Sequence, residues 1–333
     1  GNTVNRFGGG PGNAFYDITG TNSLATGYAL QSRGNADTKW EENVSLNFGI
    51  DGSLLNGKLD FVLDLYDRTT DGLLFNPVLP ATAGSASAPF VNIAEMNNRG
   101  VDFSINWRDK SSSKFGYNIG LNLSHYKNEI IAIDGNREAF FAPGRGRIGQ
   151  IQFNAVGGPI GAFYGWQTDG IFQSQAEVDA HADQTGKAVG QLRLKDLNGD
   201  GIVNGDDLGN IGSPHPDLNI GFNLGANFGD FDVTAFFVGS IGNEIYNYNK
   251  IFEVFRFFNS NVRKDVLDRA WSPSNPGGDY PLINEDDIFS ENSTDFYVED
   301  GSYLRMRTLQ IGYTIPKATG DKLGLSNTRV YLQ

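Results

Sequence analysis

The chain has 333 residues, enough for one large domain or two smaller ones around a buried core. Its formal net charge of -13 makes a phosphate backbone an unfavourable partner, so nucleic-acid binding is not expected. The absence of cysteine excludes disulfides and thiolate metal sites, and no run reaches the roughly 18 apolar residues that a membrane-spanning helix needs.

The dominant pattern along the chain is an alternation of apolar and polar residues, which is typical of strands with one apolar face. In the first such segment, Val44, Leu46, Phe48 and Ile50 alternate with small polar residues. The pattern predicts eight strands, at residues 43–51, 58–68, 100–108, 115–126, 218–228, 231–240, 302–313 and 327–333.

Two properties of these strands favour a membrane barrel over a soluble sandwich. Their length of about 9 to 12 residues suits a tilted membrane-spanning strand, whereas ordinary strands have about 5 to 6 residues. Their polar face consists mainly of Asn, Gly, Ser and Asp, which suits a wet barrel lumen. A soluble all-β protein with Gly-rich strands remains the alternative.

The predicted connections alternate between short and long, as in outer-membrane barrels with short periplasmic turns and long extracellular loops. The short ones are 51–57, 109–114, 229–230 and 315–326, and the long ones are 69–97, 127–217 and 241–301. If the short turns share one side, the interval 127–217 holds zero or two further spans. The segments "IGQIQFNAVGG" and "GAFYGWQTDGIF" are the candidates, so the strand count is eight or ten.

The alternation also predicts the arrangement of the sheet. We expect one antiparallel sheet with neighbours in chain order, in which 218–228 and 231–240 form a hairpin across the two-residue turn. One face should carry an outward apolar band, formed by Val101, Phe103, Ile105, Ile119, Leu121, Leu123, Ile220, Phe222 and Leu224. The opposite face should line the lumen and include Asn118, Asn122, Asn219 and Asn223.

The segment "KDLNGDGIVNGDDL", Lys195 to Leu208, has the ligand spacing of an EF-hand calcium loop. Oxygen ligands at positions 1, 3, 5, 7 and 12 predict a structural calcium site formed by Asp196, Asn198, Asp200, the carbonyl of Ile202, and Asp207. Asp207 is shorter than the usual Glu, and helical patterns do not flank the loop. The alternative is a polar turn without an ion.

Catalytic motifs are absent from the sequence, so we expect no enzymatic activity. The three histidines, His125, His181 and His215, do not form a metal-protease motif, and a structural or solvent role is expected for each. No nucleophile elbow, phosphate-binding loop or prominent carboxylate pair is present. The segment Ile251–Trp271 predicts helical turns inside the last long loop.

Several blocks, spread in order over most of the chain, carry a family resemblance. They include "NADTKWEENVSLNFGID", "LDLYDRTTDGLLF", "NNRGVDFSINW", "LKDLNGDGIVNGDD", "IGSPHPDLNIGFN" and "EDGSYLRMRTLQIGYTIPK". Together they resemble the C-terminal barrel part of SusC/RagA-type TonB-linked outer-membrane proteins of Bacteroidetes-like bacteria.

The resemblance implies that residues 1–333 are an antiparallel portion of a barrel of about 22 strands in the bacterial outer membrane. It implies a plug and a TonB-contacting segment elsewhere in a longer polypeptide. It also implies import of oligosaccharides or peptides with a SusD-like surface lipoprotein. The calcium ligands match the family's acidic block, whereas no substrate-contacting residue can be transferred because those loops vary.

Two hypotheses from other classes stay open at this point. One is a calcium-stabilised soluble β-domain that binds glycans at the cell surface, and the other is a secreted glycosidase. A soluble domain would bury its apolar face against a second sheet, whereas a barrel exposes that face to lipid. A glycosidase would need turnover of a glycan that depends on one carboxylate.

Overall fold

A computed structural model describes residues 3–9, 15–17, 20–21, 25–77, 82, 84, 86–109, 114–133, 138–142, 144, 146–255, 261–284, 292–326 and 328–333. None of the helices within these ranges is long and apolar enough to cross a membrane.

The fold is mainly β-structure with a few short helices. The strands are β1 (Arg6–Gly8), β2 (Phe15–Tyr16), β3 (Ala25–Thr26), β4 (Ala29–Ser32), β5 (Glu42–Leu54), β6 (Leu59–Phe75), β7 (Val91–Asp109), β8 (Phe115–Ile133), β9 (Ala139–Phe141), β10 (Gln152–Ala155), β11 (Ala162–Gly165), β12 (Thr168–Ile171), β13 (Asp183–Gln184), β14 (Leu192–Leu194), β15 (Ile202–Val203), β16 (Gly209–Gly212), β17 (Leu218–Phe228), β18 (Phe231–Ile241), β19 (Glu244–Tyr246), β20 (Val298–Asp300), β21 (Tyr303–Thr314) and β22 (Arg329–Leu332). The helices are α1 (Gln175–Ala180), α2 (Lys250–Glu253), α3 (Val266–Arg269) and α4 (Lys317–Lys322), with 3-10 turns at Gly205–Asp207 and Asp295–Tyr297.

Eight strands form one antiparallel sheet in the order β22-β21-β18-β17-β8-β7-β6-β5. The neighbours follow chain order, as predicted, and β17 and β18 pair as a hairpin from Leu218↔Ile241 to Phe228↔Phe231. The strand count of eight is therefore confirmed. The two candidate spans in the interval 127–217 instead form β10, β11 and β12, which have four residues each and belong to smaller sheets.

Three neighbouring strands of the sheet, β6, β7 and β8, are longer than the alternation predicted. β6 has 17 residues, and β7 and β8 have 19 each, so they extend well beyond the predicted strand ends. The extensions pair with one another and bury Ile93, Ala94, Ile130 and Ile133 beneath Phe140. This local core explains why the sheet continues past its alternating segments, and it shortens the first predicted long loop.

The register sorts the side chains of the sheet onto two faces. The rows Phe103–Leu123–Ile220 and Ile105–Leu121–Phe222 lie in line across β7, β8 and β17. All nine residues of the predicted apolar band share this apolar face, and the four predicted lumen asparagines share the opposite, polar face, as the alternation requires.

The apolar face is left largely uncovered by the described residues. Leu65 on β6 is 47% exposed and Ile119 on β8 is 40% exposed, although both are large apolar side chains. No second sheet within the described ranges packs against this face. A soluble sandwich would bury such residues, so this arrangement does not fit that alternative.

Glycine and a longer polar residue stand directly opposite each other at several places on the polar face. Gly120 faces Asn106, and Gly225 faces Asn118. A Cβ atom added to Gly120 would lie 2.5 Å from the Asn106 side-chain oxygen, and one added to Gly225 would collide with the Asn118 amide. The asparagine side chains therefore lie flat over the glycines, and the polar face is smooth at these places.

The two longest connections fold together into one loop unit, defined here as the described residues of 138–217 and 242–302. One core cluster joins Ile148 and Ile151 of the first connection to Ile251, Val266 and Tyr297 of the second. A second cluster packs Trp271 against Ile171, Leu192, Leu194 and Val203. The predicted helical turns in 251–271 are present as α2 and α3, while residues 256–260 lie outside the described ranges.

Candidate functional site

The predicted calcium loop lies in the connection between β8 and β17, on the surface of the loop unit. It begins after β14 and contains β15 and the 3-10 turn Gly205–Asp207. β15 pairs in parallel with β13, and Val203 of β15 is buried in the second core cluster. The loop therefore lies in the long connection before Asp217, as predicted, and the buried side chain of Val203 anchors it.

The first predicted ligands accept hydrogen bonds from the loop's own backbone. The Asp196 carboxylate accepts from the amides of Gly199 at 2.7 Å and Gly201 at 2.8 Å. The Asn198 side-chain oxygen accepts from the Asp200 amide at 2.8 Å, and Asp200 accepts from the Ile202 amide at 2.8 Å. These hydrogen bonds form a series of tight turns over residues 196–202.

Asp207 plays a different local role from the other predicted ligands. Its side chain is fully buried, and its carboxylate accepts the backbone amides of Leu197 at 2.7 Å, Asn198 at 3.3 Å and Asn204 at 2.9 Å. With the Asn204 side chain it forms a capping box on the 3-10 turn. Burial raises the pKa of Asp207, but these three hydrogen bonds outweigh it and hold the pKa below its ordinary value.

The loop offers the right kind of atoms for calcium, which prefers oxygen ligands. A carboxylate has about four acceptor positions; Asp196 uses two for backbone amides, whereas Asp207 uses three. Within the described ranges no group of three His, Cys, Asp or Glu side chains is arranged to hold a metal ion. An ion here would therefore also need the Asn198 amide oxygen and the Ile202 carbonyl.

Two tryptophans whose partners the sequence did not predict hold this part of the loop unit together. The indole N–H of Trp166 donates to the carbonyl of Asn204 at 2.9 Å, and that of Trp271 donates to Gln173 at 2.8 Å. Asp295 accepts the Thr168 hydroxyl at 2.6 Å across the two connections. The blocks containing these residues were visible in the sequence, but their partners lie about 40 to 130 positions away.

The loop unit is fastened to the polar face of the sheet near the end of β8. The Ile160 amide donates to Asn128 Oδ1 at 2.8 Å, and the Tyr126 hydroxyl lies 3.2 Å from His215 Nδ1. His125, on the apolar face, has Nδ1 2.5 Å from the Asp217 carbonyl. His125 and His215 therefore have structural roles, as predicted, while His181 Nε2 is buried without a hydrogen-bond partner.

Between the polar face and the loop unit lies a cavity of about 620 Å³. Its lining includes Asp64, Tyr66, Asp102 and Tyr126 of the sheet, and His215 of the loop unit. The loop unit thus covers the polar face at the end of the sheet that carries the long loops and leaves it open at the end that carries the short turns.

Comparison with known proteins assigns this chain to a protein family. A profile described as "TonB dependent receptor-like, beta-barrel" matches residues 6–326. The chain belongs to the TonB-dependent receptor family. Members of this family are outer-membrane transporters and not enzymes, so the expected absence of catalysis follows from membership.

Curated relatives of the receptor agree with this assignment. TonB-dependent receptor P3 of Formosa agariphila is 33% identical over 324 residues, covering 95% of this chain and 31% of that protein. TonB-dependent receptor SusC of Bacteroides thetaiotaomicron is 25% identical over 289 residues, covering 84% of this chain and 26% of that protein. The chain thus spans a third or less of the length of these receptors.

Solved structures show the same fold at lower identity. The structure of the RagAB peptide transporter matches with a TM-score of 0.79 and 22% identity, over 99% of this chain and 34% of that one. The "open-open" state of the RagAB peptide importer matches with a TM-score of 0.69. The predicted resemblance to SusC/RagA-type proteins and the predicted barrel fold are therefore confirmed.

Family membership fixes the orientation of the receptor barrel. It lies in the bacterial outer membrane, so the apolar face is the lipid-facing surface and the polar face lines the lumen. The long connections, including the loop unit, are extracellular, and the short turns are periplasmic.

Proposed function

We propose that this chain is the C-terminal part of the barrel of a transporter that imports oligosaccharides or peptides across the outer membrane, powered through TonB. The observation that carries the proposal is the eight-stranded sheet with an uncovered apolar face and a polar face partly covered by the loop unit. An Asn- and Gly-rich wall suits the passage of polar solutes, because its amides offer both hydrogen-bond donors and acceptors.

A SusD-like surface lipoprotein is the proposed extracellular partner. Support comes from the resemblance to SusC, and from the size of the loop unit, which has its own core clusters and forms a stable extracellular platform. A transporter of large solutes needs a device that captures them before the lumen opens, and such a platform provides a place for it to dock.

The function is tested by uptake into cells that express the full-length protein. Fluorescent oligosaccharides and oligopeptides of similar mass should be compared in cells with and without a working TonB complex. We expect one of the two solute classes to enter only when TonB is present. Entry that is independent of TonB, or no entry of either class, would contradict the proposal.

We also propose that the loop Asp196–Asp207 binds calcium, with Asp196, Asn198, Asp200, the Ile202 carbonyl and Asp207 as ligands. The ligand spacing of an EF-hand loop and the oxygen-rich side chains of this turn support it. A weak site with a dissociation constant of about 10⁻⁴ to 10⁻³ M would fill outside the cell. The ion would order the loop surface and take no part in chemistry.

The calcium proposal is tested by metal analysis of the purified protein in millimolar calcium. We expect one bound ion in the parent, none in Asp200→Ala, and one in the control Asp206→Asn, because Asp206 is exposed and outside the ligand set. Absence of calcium from the parent protein would leave the loop as a polar turn held by its own amides.

A further inference from the structure

The cavity beneath the loop unit is lined on one side by the polar face of the sheet, called the wall, and on the other by the loop unit, called the ceiling. On the wall, Tyr66 and Tyr126 contribute phenol rings from neighbouring positions on the polar face. On the ceiling, His215 Nε2 lies 2.9 Å from the Ile160 carbonyl, which can only accept, so this nitrogen carries a proton. Nδ1 of the same ring lies 3.2 Å from the Tyr126 hydroxyl, so His215 links the ceiling to the wall.

Two aspartates of the wall stand directly opposite each other across β6 and β7. Asp64 pairs in register with Asp102, and like charges in this arrangement destabilise a sheet. A Cβ atom at Gly49 would lie 2.5 Å from Asp64 Oδ1, so the Asp64 carboxylate leans over Gly49 toward β5.

Two other carboxylates of the polar face are neutralised by arginines, whereas Asp64 and Asp102 are not. Asp60 forms an ion pair with Arg108 at 2.6 Å, and Asp232 forms one with Arg329 at 2.5 Å. Within the described ranges neither Asp64 nor Asp102 has a cation within 4.0 Å. Arg68 also lines the cavity, but its Nε donates to Ser45 at 3.1 Å.

We propose that Asp64 and Asp102 determine charge specificity in the transport path, by binding an ammonium or guanidinium group of the solute in the cavity beneath the loop unit. The cation would offset the repulsion between the two carboxylates, while the flanking phenols offer aromatic faces to it. This inference rests on the proposed transport function and narrows it to solutes that carry a positive group.

The local charge can be measured without knowing the solute. The 333 residues contain no cysteine, so Asn47→Cys places a single thiol in the cavity lining, opposite Tyr66. Any cysteine elsewhere in the full-length protein is first replaced by serine. The labelling rates of a cationic and an anionic methanethiosulfonate reagent are then compared in full-length protein, with and without Asp64→Asn and Asp102→Asn.

We expect the ratio of cationic to anionic labelling to fall about fivefold when both aspartates are neutralised. Asp51→Asn is the matched control, because Asp51 lies on the same face outside the cavity lining, about 14 Å along the strand from position 47. Ser53→Cys controls for distance, since about 20 Å exceeds the screening length. An unchanged ratio at position 47, an equal fall at position 53, or no labelling by either reagent would overturn the proposal.

Solute preference is then measured with matched pairs of probes. One pair is a lysine-containing peptide and its Nε-acetylated twin, and the other is a glucosamine oligomer and its N-acetylated twin. We expect the parent to import the charged member of one pair about threefold faster, and the double variant to import both members at the rate of the neutral one. A fall of equal size for both members would overturn the proposal.

Failure of transport itself gives a different result. If the parent imports neither pair, the proposed function is contradicted, while the labelling ratio still decides whether the carboxylates attract cations. Neutralising opposed carboxylates relieves repulsion, so the variants should fold; heat-modifiable gel mobility checks that the barrel is formed.

Discussion

Single residues stabilise the extracellular loops through hydrogen bonds from backbone amides to buried or half-buried carboxylates. Asp207 is the strongest example, because it accepts three amides and is fully buried. Asp207→Asn replaces one acceptor oxygen by a donor and should cost about 1 to 2 kcal/mol of local stability. Hydrogen exchange of the Leu197 and Asn204 amides in calcium-free buffer measures this, and unchanged protection would contradict it. The exposed Asp206→Asn should leave both amides unaffected.

The charged residues of the segment 261–280 predict a loss of order in acid. Hydrogen bonding from Arg269 holds the pKa of Asp279 below its ordinary value, although burial opposes it. Because the folded-state pKa is the lower one, the stabilisation is present above the unfolded pKa of about 4 and is lost as pH falls through the folded value. The rate of hydrogen exchange at the amides of Trp271 and Tyr280, corrected for the intrinsic rate, should rise as the pH is lowered from about 5 to about 3.

Asp279→Asn is the control for this acid effect. The variant should show faster exchange already at neutral pH and little further change in acid, because the ion pair with Arg269 is absent throughout. If amide exchange in the parent stays constant down to about pH 3, ionised Asp279 does not stabilise this segment and the prediction is wrong.

At this scale the sequence was a good guide to which residues share a turn and a poor guide to their partners. The spacing of Asp196, Asn198 and Asp200 predicted one Gly-rich turn, and each of the three side chains accepts a backbone amide within that turn. The burial of Asp207 and its tie to Trp166 through Asn204 depend on a segment about 40 residues earlier. No local pattern contains that information.

Among the elements, the flat Asn-over-Gly pairs of the polar face lead to a prediction on the strands. In Gly225→Ala the added methyl group would collide with the Asn118 amide and force that side chain into another rotamer. The free energy of unfolding should fall by about 1 kcal/mol. Adding Asn118→Gly should remove that strain. Unfolding by urea in lipid vesicles measures both, and equal stabilities of the single and double variants would contradict the prediction.

Gly221→Ala provides the matched control on the same strand. Its added methyl group would lie 3.4 Å from Asn122 Nδ2, an ordinary contact distance, so stability should change little. A loss as large as that of Gly225→Ala would indicate a general cost of alanine on this strand and not a collision with an asparagine.

The joint core of the two long connections predicts that they lose order together. Trp271→Ala removes a buried ring that packs on Leu192, Leu194 and Val203 of the other connection, and should cost about 3 to 5 kcal/mol of loop-unit stability. Limited proteolysis should then cut residues 138–217 as well as the segment around position 271, with the barrel intact. Leu267→Ala, at a side chain 71% exposed on α3, should not have this effect.

The elements were predictable where alternation is strict and unpredictable where tertiary packing takes over. The strands β17 and β18 were found with their register because an apolar face and a two-residue turn fix both. The extensions of β6, β7 and β8 were missed because Ile93 and Ala94 interrupt the alternation, and they are held by a core that includes Phe140.

For the whole molecule, the decisive prediction is the assignment of the two faces. Leu121 lies in the middle of the apolar face, and a lysine there should cost about 2 to 4 kcal/mol near the membrane midplane. Asn122→Lys, one residue further on the lumen face, should insert and fold normally. Folding into vesicles, followed by heat-modifiable gel mobility, measures both variants; equal folding of the two would mean that the faces are assigned wrongly.

At the scale of the whole chain, the sequence predicted the architecture better than the extracellular surface. Alternating strands and alternating connection lengths are sufficient for a barrel with a fixed orientation. The joining of the two loops into one unit could not be predicted, because contacts such as that of Tyr246 with Tyr297 span 51 positions and follow no periodic pattern.

The two outer strands of the sheet have a consequence for handling this chain. β5 presents 13 residues, of which all but one are exposed, and β22 is exposed along its whole length. Unpaired edges are templates for pairing with other chains, and a bilayer does not tolerate their unsatisfied backbone groups. Expressed as it stands, the chain should therefore associate edge to edge into aggregates, unless further strands pair with β5 and β22.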